Sequence, residues 1–254
     1  MDDTGRVLRS LYAELLAAYG PQGWWPLPTR AGRPGFDGRG YHPGDYQSPA
    51  DPAGRFEVAL GAVLTQNTAW LNAERALREL LAAGVRSPGH VAAHRAPALA
   101  RLVRSSGSYN VKARKIRSLA SFFRVRGLAG APDRASLLSV WGVGPETADS
   151  ILLYAFHEPV FVVDAYTRRL LARRGVIAGT EPYGEVQDLF HRAAGRDPAV
   201  LNEYHALIVR HAKEHCRAAP SCAGCPVRGC PVASRCAGRD RLAHAPRSRH
   251  NRRR

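Results

Sequence analysis

A turn punctuated by Gly142 and Gly144 joins two apolar segments and restricts the folds open to this chain. The segments on both sides have helical periodicity, so the turn predicts two helices joined by a tight hairpin. Pro145 suits the first position of the second helix, where no N–H is needed. The free N–H groups of such a turn can bind a DNA phosphate, and Asp164 follows Pro145 by nineteen positions (164 − 145 = 19). Together these features suggest chemistry on a nucleotide in duplex DNA.

The composition favours a polyanionic partner over a neutral metabolite. The chain has 254 residues, enough to bury a substantial core, and its 37 Lys and Arg against 21 Asp and Glu give a formal charge of +16. Nucleic acid is therefore the leading partner class, although a basic surface can also be merely solvated. No apolar stretch approaches the roughly 18 residues of a membrane span, and the first residues do not resemble a signal peptide. We expect a cytoplasmic, nucleoid-associated protein with no membrane partner.

Helical periodicity recurs along the chain and predicts an all-α fold. The predicted helices lie at about 6–19, 55–65, 68–83, 97–105, 110–125 and 133–140, with two more between 183 and 213. No strand pair and no repeat is evident. The Gly- and Pro-rich stretch that follows the first helix, up to about Pro52, is interpreted as an ordered loop because it contains Trp24 and Trp25.

All five cysteines lie within 21 residues: Cys216, Cys222, Cys225, Cys230 and Cys236. In an intracellular protein this clustering and the odd count favour a metal site over disulfides or free thiols. The spacing suits an iron-sulfur cluster or zinc and does not separate them. Either Cys230 or Cys236 is the fourth ligand, and we prefer Cys230. Since no long apolar run stabilises this segment, the metal would take the place of a core.

The hairpin, the aspartate and the cysteines together resemble the endonuclease III group of helix-hairpin-helix DNA glycosylases. Two further strings support the resemblance, Leu64-Thr65-Gln66-Asn67-Thr68 and Gly107-Ser108-Tyr109-Asn110-Val111-Lys112-Ala113, and the match runs from about Phe56 to Cys230. It implies a two-lobed all-α fold with a carboxy-terminal 4Fe-4S loop, acting as a monomer on double-stranded DNA with a damaged base. The implied parts are an amino-terminal helix and loop (1–53) packing with the carboxy-terminal lobe, a central helical barrel (54–158) containing the hairpin (138–148), the carboxy-terminal lobe (159–236) and a basic tail (237–254).

The resemblance also implies which residues meet DNA. Gln66 would fill the gap that an extruded nucleotide leaves, Ser108 would lie beside the opposite strand, and Lys112 would contact a phosphate. The hairpin residues expected at the strand are Gly142, Val143, Gly144 and Thr147.

One departure from the family pattern affects the mechanism. Family members that also cleave the strand carry a lysine nucleophile at the position held here by Glu146. A carboxylate cannot form a Schiff base, so we expect a monofunctional glycosylase that leaves an abasic site. The alternative is a glycosylase with residual lyase activity through another amine such as Lys112. Asp164 would orient a water and stabilise the cationic sugar; alternatively it only caps a helix that begins near Ala165.

The two carboxylates also suggest a substrate class. Glu146 and Asp164 would face one pocket and suit a base that is already positively charged, as an N-alkylated purine is. The Trp-Trp-Pro and Leu-Thr-Gln-Asn-Thr strings resemble a subgroup that includes 3-methyladenine glycosylases. Trp24, Trp25 and Trp70 are candidates for stacking on the flipped base, with core packing as the alternative. Glu146 has its own alternative, complementing the helix dipole, and for the whole chain the alternative is a catalytically weak damage-binding protein.

Overall fold

The computed structural model describes residues 3–233, and within that range the chain forms eleven α-helices and no β-strand. The helices are α1 (Asp3–Tyr19), α2 (Pro52–Leu64), α3 (Trp70–Ala82), α4 (Pro88–Ala93), α5 (Ala96–Leu102), α6 (Tyr109–Arg126), α7 (Arg134–Leu138), α8 (Pro145–Phe156), α9 (Ala165–Arg173), α10 (Tyr183–Ala194) and α11 (Pro198–Glu214). This confirms the predicted all-α class. Cys236 and the basic tail 237–254 lie outside the described residues. No helix among residues 3–233 has the length and apolar content needed to cross a membrane.

The predicted helices are present, with ends that differ by a few residues. The exception is α4, which the periodicity did not predict because six residues are too few to show it. Its start is defined instead by local chemistry, since the Ser87 side chain accepts a hydrogen bond from the N–H of His90 and Pro88 occupies the first turn. The predicted helix at 97–105 ends early, at Leu102, and a 3-10 turn (Arg104–Ser106) follows it.

Helices α2 and α8 pack against each other at the centre of the core. Every residue of α8 from Thr147 to Phe156 is buried, and α2 is buried along most of its length. A helix that is enclosed on all sides needs small residues where neighbours approach closely. Gly61 on α2 is such a position, because a Cβ there would lie 2.8 Å from Nε1 of Trp25. The tryptophan-containing loop is thereby held against α2.

Helix α1 packs against α10 and α11, so the two ends of the described chain meet. Leu8, Leu11 and Leu15 are fully buried there, and the Tyr204 hydroxyl donates a hydrogen bond to the Leu8 carbonyl at 2.7 Å. The amino-terminal helix therefore contacts the carboxy-terminal helices, and the division of the chain into two lobes stays a prediction. The consequence for function is that α11 is fixed behind the cavity described next.

Candidate active site

A cavity of about 110 Å³ collects side chains from five separate parts of the chain. They come from the loop after α1, the α2–α3 connection, α8, the segment before α9, and α11. The lining includes Trp24, Trp25, Trp70, Glu146 and Asp164, all expected at the site from the sequence. The structure thus brings the three tryptophans and both carboxylates together in one place.

Asp164 occupies the cap position of α9. Its Oδ1 accepts a hydrogen bond from the N–H of Thr167 at 2.7 Å, so the capping role expected as an alternative is present. Only 12% of its side chain is exposed, and Oδ2 lies 3.6 Å from Nε2 of His205. Burial by itself would raise the pKa of Asp164, but the nearby His205 and the Thr167 hydrogen bond outweigh it and lower that pKa. Asp164 is therefore a carboxylate at neutral pH that still has an oxygen facing the cavity.

Glu146 lies in the first turn of α8, at the rim of the cavity. The residue is solvent-exposed, yet the surrounding protein atoms raise the pKa of its carboxyl and the negative charge of Asp164 raises it further. Because Glu146 is exposed, water screens its repulsion with Asp164. The arrangement places two carboxyl groups close together at the cavity, whose lining also includes the Lys213 amine.

The three tryptophans differ in how much of each ring is available. Trp25 is 4% exposed and stands edge-on to Trp70, with ring centroids 5.4 Å apart. Trp24 and Trp70 are half-buried, 6.0 Å apart and tilted by 33°. Trp25 thus supports the wall from behind, whereas Trp24 and Trp70 present the surfaces that a planar ring can meet.

Two basic residues of the cavity were not singled out from the sequence, His205 and Lys213, both on α11. The Lys213 amine lies 5.6 Å from the centre of the Trp24 ring, and burial lowers the pKa of Lys213. A histidine within an apolar helix gives no sequence signal, because most such residues are packed in a core. Lys213 is one of only three lysines in the sequence, and this rarity is the signal that could have marked it as a candidate site residue.

The hairpin between α7 and α8 has the backbone that its glycines suggested. Gly142 has φ +87°, and a Cβ there would lie 2.5 Å from Cγ of Lys115. Gly144 is the cap residue of α8 and offers no side-chain hydrogen bond, so the first N–H groups of this helix are left for another acceptor. The side chains of Val143 and Thr147, by contrast, are buried and face the protein. At Val143 and Thr147, therefore, any contact with DNA would be made by the backbone and not by the side chain.

Gln66 is tied to the hairpin and does not project freely. Its Nε2 donates to the Gly142 carbonyl at 3.0 Å and to Oγ1 of Thr147 at 2.8 Å, and its Oε1 accepts a hydrogen bond from Lys115. A role as a wedge in DNA would require these bonds to break. The structure shows Gln66 linking the end of α2 to the start of α8.

Lys112 differs from the expectation that it contacts a phosphate. It is 3% exposed, and its Nζ donates to the carbonyls of Leu64 at 2.8 Å and Ser106 at 2.6 Å. Burial lowers the pKa of Lys112 to about 8. Lys112 therefore holds backbone segments together in the interior. Its buried amine, bonded to two carbonyls, is poorly placed to act as the alternative lyase amine. Ser108 is exposed at the start of α6, and its contact with the opposite strand stays a prediction.

Comparison with known proteins then decides the family. Residues 60–195, which are 136 of the 254 residues (195 − 60 + 1 = 136), match the HhH-GPD superfamily of base excision DNA repair proteins. The chain belongs to this superfamily. Over 233 residues it is 36% identical to a putative DNA repair glycosylase of Methanocaldococcus jannaschii, covering 87% of this chain and 94% of that protein. An endonuclease III of Sulfolobus acidocaldarius is 28% identical over 180 residues, covering 68% of this chain and 79% of the relative.

Solved structures agree with the family. The HhH-GPD chain is similar to the H. pylori 3-methyladenine DNA glycosylase bound to 1,N6-ethenoadenine, with a TM-score of 0.64 and 26% identity over 84% of this chain and 98% of the other. A non-covalent endonuclease III–DNA complex superposes with a TM-score of 0.72 at 21% identity, covering 95% of this chain and 100% of that one, which shows the shared fold. The protein is a DNA repair glycosylase of the HhH-GPD type, an enzyme that hydrolyses the N-glycosidic bond in base excision repair.

The cysteine loop of this glycosylase follows α11. Cys216, Cys225 and Cys230 are free thiols packed at the edge of the core. An arginine nitrogen of Arg173 donates a hydrogen bond to the sulfur of Cys216 at 3.3 Å. Among residues 3–233, however, no three His, Cys, Asp or Glu side chains converge closely enough to hold a metal ion. The donor chemistry fits an iron-sulfur cluster, and the cluster itself is not shown.

Proposed function

We propose that this HhH-GPD enzyme is a monofunctional glycosylase that removes an alkylated base from double-stranded DNA, acting as a monomer through Asp164. The observation that carries the proposal is the cavity in which Asp164 and Glu146 face an aromatic wall. With Glu146 in place of the lysine nucleophile, the enzyme hydrolyses the glycosidic bond and leaves the strand intact.

The proposed grip on DNA uses the start of α8. The N–H groups there lack a side-chain cap, and they point out of a turn with room for a phosphate because Gly144 has no atom within 4 Å of the place its Cβ would take. Ser108, exposed at the start of α6, would lie beside the opposite strand. A phosphate held at the start of α8 brings its sugar toward Glu146, in the first turn of that helix, and toward Asp164, at the cap of α9.

In the proposed reaction the extruded base lies against Trp24 and Trp70. A cationic base is attracted to an aromatic face, and its glycosidic bond is already weakened, so no acid is needed to make it leave. As the base departs with the bonding electrons, positive charge develops on the sugar, and the Asp164 carboxylate stabilises it and orients the water that attacks C1′. The 3-methyladenine activity and the ethenoadenine ligand named for the H. pylori relative support this substrate class.

The test is a set of duplexes that each carry one lesion: 3-methyladenine, 7-methylguanine, an oxidised pyrimidine, uracil or an abasic site. We expect free alkylated base to be released, with strand breaks only after alkali. Release of oxidised pyrimidine alone would contradict the substrate class. Tight binding to every lesion without release would instead support a damage-binding protein.

A lyase alternative has a specific observation behind it, the Lys213 amine in the same cavity. Borohydride reduces a Schiff base to a stable protein–DNA adduct, and we expect none with the wild-type enzyme and abasic DNA. If an adduct forms and is lost in Lys213→Met, the monofunctional assignment is wrong. Lys115→Met is the matched control, because Lys115 lies at the hairpin, outside the cavity lining.

We further propose that Cys216, Cys222, Cys225 and Cys230 hold a 4Fe-4S cluster, with Cys236 as the alternative fourth ligand. When bound, the cluster would fold the loop that packs against Arg173, and it takes no part in the hydrolysis. Protein purified without oxygen should contain about four irons per chain and no disulfide. Stoichiometric zinc, or a disulfide at Cys222 with no iron, would refute the proposal, and Cys230→Ser compared with Cys236→Ser identifies the fourth ligand.

A further inference from the structure

A chain of three buried polar groups ends at Asp164. The Tyr154 hydroxyl and Nδ1 of His205 are 2.6 Å apart, and Nε2 of His205 lies 3.6 Å from Oδ2 of Asp164. Tyr154 is 1% exposed and His205 is 4% exposed. Burying a histidine costs free energy unless its nitrogens find partners, so this placement requires a reason.

The direction of the Tyr154–His205 hydrogen bond determines which nitrogen of His205 carries the proton. Burial raises the pKa of Tyr154 well above its ordinary value, so the hydroxyl keeps its hydrogen. If that hydrogen points to Nδ1, the neutral imidazole carries its own hydrogen on Nε2, facing the carboxylate of Asp164. The opposite tautomer would turn a lone pair toward a negative oxygen. At 3.6 Å the contact is longer than a normal hydrogen bond, and Nε2 has no other partner within hydrogen-bond distance.

Other groups also face Asp164. On α9, the Thr167 N–H donates a hydrogen bond to Oδ1 of Asp164. Glu146 approaches Asp164 from α8, and the Lys213 ammonium on α11 lies 5.6 Å from the centre of the Trp24 ring. Thr167 occupies only Oδ1. Glu146 repels the carboxylate, whereas the Lys213 ammonium attracts it, and the same attraction acts to raise the pKa of Lys213 against the effect of burial. His205 is the buried donor directed at the second oxygen.

We propose that His205, held in one tautomer by Tyr154, is a positioning residue that presents its Nε2–H to Oδ2 of Asp164 and keeps this carboxylate charged and directed at the sugar. This inference rests on the proposed function of Asp164. Bound DNA excludes water from the cavity, which strengthens the contact and disfavours a bare charge, so the donor matters most in the complex. Contacts of this kind are often long in the free enzyme and shorten when substrate binds.

The experiment is a pH profile of single-turnover base release from alkylated duplex DNA for three variants. His205→Phe keeps the ring and removes the donor, Tyr154→Phe removes only the hydroxyl that selects the tautomer, and His205→Gln restores an N–H near the position of Nε2. His205 lowers the pKa of Asp164, so without it protonation of Asp164 begins at higher pH. We expect the acid limb of the single-turnover rate in His205→Phe to move to higher pH and that rate to fall by about 10- to 100-fold, as for loss of one hydrogen bond to a charged group.

The remaining variants separate positioning from packing. His205→Gln should recover most of the activity and the wild-type acid limb, and Tyr154→Phe should shift the limb in the same direction as His205→Phe, but less. The affinity for the duplex, measured by fluorescence anisotropy, should stay unchanged in all three. His157→Asn is the control, because His157 bonds to the Pro49 carbonyl outside the cavity and Asn tolerates its left-handed backbone.

A wild-type acid limb in His205→Phe, or an equal loss at every pH, would overturn the inference. If His205→Phe does not fold, the comparison of Tyr154→Phe with His205→Gln decides, since an unshifted limb in Tyr154→Phe also overturns it. Failure of the proposed function looks different: Asp164→Asn would then release base at the wild-type rate, whatever the His205 variants do.

Discussion

At the scale of single residues, the chemistry of the site depends on the identity of residue 146. Glu146 lies in the first turn of α8 and shares the cavity with Asp164. Each carboxyl disfavours ionisation of the other, yet contacts with His205 and Thr167 lower the pKa of Asp164 while that of Glu146 is raised. The two groups are therefore not equivalent, and Asp164 is the one that stays charged when the pH falls.

Glu146→Lys should give the enzyme a new reaction. A lysine in the first turn of α8 would place an amine opposite Asp164, within reach of an abasic sugar in the same cavity. We expect a borohydride-trapped adduct with abasic DNA in this variant and none in the matched control Glu146→Gln. An equal yield of adduct from wild type and from both variants would show that residue 146 does not decide the reaction.

At the scale of secondary-structure elements, the sequence predicted the helices well because their apolar faces repeat with a clear period. Helix α8 and its hairpin followed from Gly142, Gly144 and Pro145. What the sequence did not show are contacts between distant elements. The burial of Lys112 depends on carbonyls that α2 and the 3-10 turn bring to it, and no local pattern indicates that.

The two hairpin glycines should respond differently to alanine. Gly142→Ala places a Cβ in a left-handed backbone at φ +87°, 2.5 Å from Cγ of Lys115, and should lower the free energy of unfolding by about 1–3 kcal/mol. Gly144 has φ −99°, and the position of its added Cβ is open, so Gly144→Ala should change the free energy of unfolding by less than about 1 kcal/mol. Its methyl group stands where a phosphate would approach, so DNA affinity should still fall.

Thermal unfolding and fluorescence anisotropy with a DNA duplex measure the two effects separately. If Gly144→Ala binds DNA as tightly as wild type, the start of α8 does not hold a phosphate.

At the scale of the whole molecule, the site depends on packing between the ends of the described chain. Helix α1 contacts α10 and α11, and α11 supplies His205 and Lys213 to the cavity. Sequence reasoning identified both carboxylates and the tryptophans because they lie in recognisable strings. It missed His205 and Lys213 because their role depends on where α11 is placed, which only the assembled core determines.

The charge of +16 belongs to this scale as well. Binding to duplex DNA releases counterions, so the logarithm of the affinity should fall linearly with the logarithm of salt concentration. Residues 237–254 carry seven arginines and one aspartate, and their deletion should make this slope shallower without changing kcat for base release. An unchanged slope would show that the tail does not contribute to DNA binding.

The most direct test of the account is base release by Asp164→Asn. Asparagine keeps the cap of α9, so folding should be preserved while the negative charge at the cavity is removed. In single-turnover assays with duplex DNA that contains 3-methyladenine, we expect the variant to bind DNA like wild type and to release base at least about 100-fold more slowly. Release of 3-methyladenine at the wild-type rate by a folded Asp164→Asn enzyme would contradict the account.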